Sequence, residues 1–207
     1  MGKNLLIFGG SFDPVHHGHL IVARAVAEHC AVSTVLLMPT ACAPHKPAAA
    51  ASASHRLAML EGAVAGDDLF EISTIELQRQ GPSYTLDTVQ ELSRQRGDVH
   101  IRWLIGQDML AELNKWHRVH ELLQQVELVT AVRPSEDDLD SVFQRLTPLL
   151  GSQAVERLRA NVVHSPVIDI SSTAIRQRIA RGQSIRYLVP PAVEAYIQNH
   201  GLYRENP

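Results

Sequence analysis

The sequence has few cysteines, no long apolar run and no signal for export. Its two cysteines, Cys30 and Cys42, lack CxxC spacing, so we expect neither a zinc site nor a disulfide framework, and a reducing cytosol fits best. No stretch reaches the roughly 18 apolar residues that a membrane-spanning helix needs. No basic segment followed by an apolar one opens the sequence. We therefore expect a cytoplasmic protein with no membrane partner.

The sequence also lacks a large excess of charge of either sign. The 207 residues carry a formal net charge of -3 without a run of like charges, so a basic groove for nucleic acid is not expected, although a local phosphate pocket is compatible with this balance. At 45% apolar content, the chain is long enough to bury one good core. We expect a single domain over residues 1–207, in which residues 165–207 form a helical C-terminal part.

The sequence does contain short apolar runs that alternate with helical patterns. The run NLLIF stops at Gly9 and Gly10, as a buried parallel strand does before a tight turn, and a helical pattern follows as far as His29. This alternation predicts an α/β fold, a doubly wound, Rossmann-like parallel sheet. Further strands are predicted at 32–39, 69–73, 99–106, 126–132 and 162–163, and further helices at 52–66, 86–95 and 190–201.

Residues 135–160 interrupt this alternation with a more polar stretch. Asp137, Asp138 and Asp140 open a predicted helix there, where negative charge suits the N-terminal end of the helix dipole. The stretch contains no motif with a chemical meaning. We interpret it as an insertion or a crossover connection.

The segment GGSFDPVHHGHL, residues 9–20, carries the first chemical signal. Its glycines let the backbone approach a ligand closely, and the following helix offers free N–H groups to an anion. His16 and His19 stand three residues apart, so both imidazoles can face one pocket, and Gly18 leaves room there for a phosphate. The segment matches neither G-x-G-x-x-G nor the G-K-[ST] of a P-loop. It predicts a phosphate site, and the alternative is a glycine turn before a solvated helix end.

The second signal is DISSTAIR, residues 169–176. Ser171, Ser172 and Thr173 precede a predicted helix, where their hydroxyls can cap it or face an anion. Arg176 lies one helical turn further and can reach a phosphate on the same side. Alone, such a segment is usually a helix cap, but together with the histidine–glycine loop it indicates a triphosphate site.

With these two motifs the chain resembles the HxGH nucleotidyltransferase superfamily. The segments APHKP, GPSYTLDT, LIGQDML, NKWHRVHELL and YLVPPAVEAYIQNHGLY further resemble the bacterial nicotinate mononucleotide adenylyltransferases, and the match covers residues 4–203. The resemblance implies transfer of AMP from ATP to nicotinate mononucleotide, which gives deamido-NAD and pyrophosphate in NAD biosynthesis. Mg²⁺ is expected to arrive with ATP, because the sequence offers no dedicated carboxylate cage. A homo-oligomer is compatible with the sequence.

The resemblance assigns ATP-side roles to two groups of residues. The residues that neutralise the triphosphate and stabilise the transition state would be His16, His19, Lys46 and Arg176. Those that hold adenosine and the phosphates would be Gly9, Gly10, Ser11, Phe12, Gly18, Gly106, Asp108, Ile170, Ser171, Ser172 and Thr173.

The resemblance also places the pyridine ring of the acceptor between SYTLD and KWH. Trp116 would stack on the ring, and backbone N–H groups around Thr85 and His117 would receive its carboxylate. Tyr84 and Arg133 complete the implied acceptor side.

Several of these residues have a structural alternative. Trp116 and Tyr84 could be packing aromatics, Lys46 a solvated side chain and Asp108 a helix cap. The HxxH spacing that begins at His117 is that of metal ligands, but no third ligand or HExxH pattern accompanies it, so a surface helix is favoured and no protein metal site is expected.

Other functions also stay open. The acceptor could instead be nicotinamide mononucleotide or phosphopantetheine, although Trp116 with SYTLD favours a flat pyridine ring. A catalytically silent ATP-binding sensor would not need HxGH together with Lys46 and Arg176. A fragment of a class I aminoacyl-tRNA synthetase would need a basic surface run that the sequence lacks. Because acceptor recognition would use main-chain groups, side chains do not decide between an acid and an amide.

Overall fold

The computed structural model describes residues 3–41, 48–79, 81–97, 99–132 and 139–204, and these form a parallel sheet with helices on both faces. The strands are β1 Lys3–Gly10, β2 Val35–Pro39, β3 Phe70–Ile72, β4 Val99–Gly106, β5 Glu127–Val132 and β6 Val162–His164. The helices are α1 His17–His29, α2 Ala53–Val64, α3 Thr85–Arg96, α4 Gln107–Ala111, α5 Val119–Gln125, α6 Leu139–Leu150, α7 Ser152–Ala160, α8 Ser172–Ala180 and α9 Pro191–Asn199, with a 3₁₀ turn at Leu113–Lys115.

The sheet has the strand order β3-β2-β1-β4-β5-β6, and every neighbouring pair is parallel. The chain starts at the centre with β1, builds one half outward through β2 and β3, and then returns to place β4 on the other side of β1. This order confirms the predicted doubly wound fold. The order reverses between the carboxyl ends of β1 and β4, which is where open sheets of this kind bind ligands.

Both faces of the sheet are buried, because the central strands are apolar at successive positions. In β1, Leu5 and Ile7 belong to one hydrophobic cluster, whereas Leu6 between them belongs to the other. The first cluster packs the sheet against helices α3 to α7, and the second packs it against α1, α2, α8 and α9. Alternating side chains of one strand thus serve two cores, which explains why its sequence reads as a continuous apolar run.

Most predicted elements are present, with differences at their ends. β4 occupies the predicted residues 99–106, whereas β2 begins at Val35 rather than at residue 32. The reason lies in the end of α1: Ala31 has a φ of 50°, and the N–H of Val32 donates to the carbonyl of Ala27. That bond closes the last helical turn, so the strand starts three residues later. Between β4 and β5, α5 contains His120 of the predicted surface helix, whereas α4 and the 3₁₀ turn were not predicted.

The stretch interpreted as an insertion or crossover is the crossover from β5 to β6. In α6, the buried residues Val142, Phe143, Leu146 and Leu150 face the first cluster, so this segment covers the sheet rather than adding only surface. Asp140 lies in the first turn of α6, whereas Asp137 and Asp138 lie outside the described residues. Among the residues that the structure describes, no helix is long and apolar enough to cross a bilayer.

Leu146→Ala should lower the free energy of unfolding by about 2–5 kcal/mol, the range for leucine truncations in a core. The matched control is Leu149→Ala in the same helix, because Leu149 is 52% exposed while Leu146 is 2% exposed. The control should change stability by less than about 0.5 kcal/mol. Urea denaturation measures both values, and equal losses would contradict the assignment of α6 to the core.

Candidate active site

The loop between β1 and α1 brings two imidazoles face to face. His16 precedes the first residue of α1 and His19 lies in its first turn. Their rings stack with centroids 3.6 Å apart and planes inclined by 24°. His16 is buried and His19 is partly exposed. The predicted histidine pair is therefore one unit at a helix N-terminus, where backbone N–H groups favour an anion.

His19 is oriented by its neighbours. Its Nδ1 accepts a hydrogen bond of 3.2 Å from the backbone N–H of His16. In the neutral ring this leaves the proton on Nε2, which is then the nitrogen able to donate. The edge of the His19 ring meets Phe12, with centroids 5.1 Å apart, and the ring also contacts Phe8 at 5.9 Å. The loop thus fixes both the direction and the tautomer of this imidazole.

Gly18 has to be a glycine for His16 to keep its position. A Cβ at residue 18 would lie 3.0 Å from Nδ1 of His16 and 3.4 Å from Cγ2 of Ile168. At the end of β1, a Cβ on Gly9 or Gly10 would meet Trp103 at 3.1 Å or Phe12 at 3.3 Å. The glycines of the motif therefore make room for neighbouring rings.

The carboxylate of Asp13 holds the middle of the loop. Asp13 is 3% exposed, and its Oδ1 accepts from the hydroxyl of Tyr203 at 2.7 Å and from the N–H of Ala51 at 3.1 Å. Oδ2 accepts from the N–H of Ala50 at 2.6 Å. Burial, followed by the bond to Asp13, raises the pKa of the Tyr203 phenol, so this hydroxyl remains a donor at physiological pH. Sequence reasoning missed this carboxylate, although it lies inside the motif.

The start of α8 is attached to the same loop. The hydroxyl of Ser172 donates to the carbonyl of Pro14 at 2.9 Å. Nη1 of Arg176 donates to the carbonyl of Asp13 at 2.7 Å and lies 3.9 Å from its carboxylate. The two motifs that the sequence separates by about 150 residues are in direct contact. Lys46, the other predicted cation of this group, lies outside the described residues.

The rest of the serine–threonine segment caps α8. Ser171 accepts from the N–H of Ala174 at 3.1 Å, as a helix cap does. Thr173 is exposed and accepts from Nη2 of Arg176 at 3.4 Å, while Ile170 is partly buried against the second cluster. The capping interpretation is therefore correct for Ser171. The next residue, Ser172, contacts the loop between β1 and α1.

A buried arginine donates a hydrogen bond to the backbone of the loop between β1 and α1. Arg56 of α2 is 2% exposed, and its Nη1 donates to the carbonyl of Ser11 at 2.6 Å. Burial lowers the pKa of its guanidinium, and the charge of Asp13 and the phenol of Tyr203 oppose that change. Nothing in the helical pattern around Arg56 indicated this contact, because the same spacing suits an ordinary solvated arginine.

The predicted adenosine residues lie at the end of β4, next to β1. Gly106 precedes α4, and Asp108 is exposed in the first turn of that helix. A Cβ at residue 106 would lie only 2.5 Å from Oδ1 of Asp108, so the glycine allows the carboxylate to fold over the strand end. Because β1 and β4 are paired, these residues flank the point where the strand order reverses.

The predicted acceptor residues are brought together in part. Tyr84 precedes α3, whose first residue is Thr85, and the Tyr84 ring stacks on His117 with centroids 4.3 Å apart and planes inclined by 26°. Trp116 is partly buried against the first cluster, so it has some of the packing role considered for it. Arg133 lies outside the described residues.

Metal-ligating side chains do not cluster in the part of the chain that the structure describes. There, no group of three or more histidine, cysteine, aspartate or glutamate side chains could hold an ion. His117 and His120 are both exposed, and Cys30 is a free thiol. The catalytic and binding roles assigned to the predicted ATP-side and acceptor-side residues stay predictions.

The chain matches the cytidylyltransferase-like family over residues 7–178. It is 42% identical to the probable nicotinate-nucleotide adenylyltransferase of a Synechococcus strain, over 97% of this chain and 95% of the relative. It is 38% identical to the protein of the same name from Neisseria meningitidis, over 98% of this chain and 100% of the relative. These similarities extend beyond the two motifs to the whole length.

Two solved structures share the fold. The nicotinic acid mononucleotide adenylyltransferase of Plasmodium falciparum, complexed with NaAD, superposes with a TM-score of 0.75 at 17% identity, over 97% of each chain. A putative nicotinate-nucleotide adenylyltransferase from Vibrio parahaemolyticus superposes with a TM-score of 0.70 at 19% identity, over 99% of this chain and 97% of the other. Identities this low support the architecture alone.

Gly18→Ala should weaken ATP binding by about tenfold, because the new Cβ displaces His16. Its stability should not fall in parallel, since alanine favours a helix over glycine by about 0.5–1 kcal/mol. Gly62→Ala in α2 is the matched control, because its Cβ meets only Ala192 at 3.4 Å. Calorimetric titration with ATP compares the two variants. Unchanged ATP affinity in Gly18→Ala would contradict the premise that the position of His16 matters for ATP binding.

Tyr203→Phe should lower the free energy of unfolding by about 1–3 kcal/mol, because it removes one donor from the buried carboxylate of Asp13. Tyr187→Phe deletes the same hydroxyl from a side chain that is 81% exposed and should change stability by less than about 0.5 kcal/mol. Denaturant titration compares them. Equal stability of the two variants would be inconsistent with a structural role for this bond.

Proposed function

This chain belongs to the cytidylyltransferase-like family and, within it, to the nicotinate-nucleotide adenylyltransferases, and from that premise we propose that it forms deamido-NAD and pyrophosphate from ATP and nicotinate mononucleotide. The observation that carries the proposal is the direct contact between the histidine loop and the start of α8, at Pro14 and Asp13. This contact assembles imidazoles, a guanidinium and two helix N-termini around one crevice. Cysteine usage favours a cytoplasmic location.

The reaction is a displacement at phosphorus. An oxygen of the 5′-phosphate of the mononucleotide attacks the α-phosphorus of ATP, the new P–O bond forms, and the bond to the β-phosphate oxygen breaks. Pyrophosphate leaves with that electron pair. A phosphate monoester is already ionised near neutral pH, so no protein nucleophile is needed, and the enzyme has to align two polyanions and neutralise their charge.

The histidine pair and Arg176 are suited to that neutralisation. His19 can donate from Nε2, as its Nδ1 is engaged by the backbone of His16. The N-terminus of α1 adds its positive dipole end on the same side. Donors held in advance by the loop lose little energy in reorganisation when charge moves onto the departing pyrophosphate.

Mg²⁺ belongs to the substrate in this proposal, as the MgATP complex. The metal would be held by phosphate oxygens and water, because the sequence offers no dedicated carboxylate cage. No step assigned to the side chains above passes through it.

The acceptor lies between the start of α3 and Trp116. The N–H groups at the start of a helix lack intrahelical partners, so the backbone at Thr85 can receive a carboxylate, while the stacked rings of Tyr84 and His117 border the same region. A carboxylate gains more from such N–H groups than an amide oxygen does, because charge-assisted hydrogen bonds are stronger. This favours the acid form of the pyridine nucleotide.

His19→Ala should lower kcat about 10²-fold or more, the scale for losing one transition-state donor. His29→Ala is the control, because His29 is exposed at the other end of α1. A coupled pyrophosphate assay measures both variants. Near-normal turnover of His19→Ala would remove this imidazole from the mechanism.

The substrate itself is tested by comparing nicotinate mononucleotide, nicotinamide mononucleotide and phosphopantetheine in the same assay, with kcat/KM highest for the first. Equal rates for the first two would defeat the acid preference. ATP binding by calorimetry without pyrophosphate release from any acceptor would instead identify a nucleotide sensor.

A further inference from the structure

A second buried carboxylate lies outside the residues discussed so far. Glu76, between β3 and α3, is 3% exposed, and its Oε1 accepts from the hydroxyl of Thr88 at 2.9 Å. Burying a carboxylate is costly unless it is paired and hydrogen-bonded. An apolar side chain would fill the same space without the free-energy cost of removing a charge from water. The buried position of Glu76 therefore needs an explanation.

Thr88 connects the carboxylate to the predicted acceptor segment. Its hydroxyl also lies 3.2 Å from the carbonyl of Tyr84 and accepts from Nη1 of Arg79 at 3.0 Å. Tyr84 is the residue that precedes α3. The network therefore fixes the backbone where the helix begins, one residue before the N–H of Thr85.

Glu76 also has neighbours outside α3. The side chains of Thr40 and Ser83 interact with it, and the N–H of Thr40 donates to the carbonyl of Gly10 at 2.9 Å. Thr40 thus stands between Glu76 and the end of β1.

The electrostatics of Glu76 are consistent with a group held for its hydrogen bonds. Burial raises the pKa of its carboxyl, and the bond from Thr88, the charge of Arg79 and interactions with Thr40 and Ser83 oppose that rise. Among the described residues, Oε2 of Glu76 and Oγ of Ser83 are buried without a partner in good hydrogen-bond geometry.

We propose that Glu76 is a positioning residue for the acceptor nucleotide: through Thr88 it holds the backbone at residues 84–85 in the geometry that receives nicotinate mononucleotide. The proposal rests on the proposed function. It concerns the acceptor more than ATP, because the hydrogen bonds of Glu76 lead through Thr88 to the carbonyl of Tyr84, in the predicted acceptor segment.

The test separates the Michaelis constants of the two substrates. Glu76→Ala should raise KM for nicotinate mononucleotide about tenfold, the scale of one lost hydrogen bond to a charged group, while KM for ATP changes less than about twofold. Glu76→Gln keeps an oxygen that accepts from Thr88 and should recover most of the effect. Glu61→Gln, an exposed glutamate of α2, is the control and should behave as the original chain.

Thr88→Val gives an independent variant, since it conserves volume, removes the bridging hydroxyl and leaves Glu76 in place. It should raise KM for the acceptor in the same way, and it decides the matter if Glu76→Ala does not fold. Equal changes in both KM values, or lower stability with an unchanged acceptor KM, would overturn the proposal. Absence of deamido-NAD formation by the original chain would instead refute the proposed function, so the two failures are distinguishable.

Discussion

A buried carboxylate needs donors, and the donors that Asp13 finds come from separate parts of the chain. The N–H groups of Ala50 and Ala51 and the hydroxyl of Tyr203 surround its oxygens, while Arg176 holds its carbonyl. Each bond limits the cost of removing this charge from water. In return, the backbone around Asp13 can keep a conformation that includes a positive φ at Phe12, which a free loop would rarely adopt. The position of the histidine pair depends on this arrangement.

The sheet supplies the frame for that loop. Because β1 is central and both faces of the sheet are covered, the end of β1 cannot shift without disturbing two cores. Close packing makes such cores resistant to small displacements. The parallel order then brings the ends of β1 and β4 together, so residues from the histidine loop and from Gly106 onward face the same crevice. The sheet fixes the positions of the loops, and the loops contain the predicted site residues.

The sequence predicted the elements that depend on local pattern. The strand 99–106 and the doubly wound order follow from apolar runs between helical segments, and the meeting of the loop with α8 was expected from the pairing of two phosphate motifs. Helix α4 and the 3₁₀ turn after it were missed, since they are short and carry little periodicity. The predicted residues of the histidine loop and those from Gly106 onward lie at the ends of β1 and β4, but Lys46 and Arg133 fall outside the described residues.

The supporting contacts could not have been predicted, for a physical reason. Arg56, Asp13 and Tyr203 are polar residues whose burial depends on partners 37 to 190 positions away, and no local spacing records such a partner. Glu76 is similar, because a glutamate before a predicted helix normally points to solvent. Buried charged residues of this kind depart from the simple rule that charges stay on the surface. Arg56 and Tyr203 contact the backbone and side chains of the histidine loop.

The bond between Tyr203 and Asp13 spans 190 positions of the chain. Synthesis proceeds from the N-terminus, and the parts of a protein made first can fold while the rest is still on the ribosome. The strands and the first helices can therefore assemble early, but the carboxylate in the histidine loop lacks one of its donors until Tyr203 has emerged. A nascent chain with its sheet already formed would still lack this donor, so the phosphate loop is completed later than the sheet, once Tyr203 can reach Asp13.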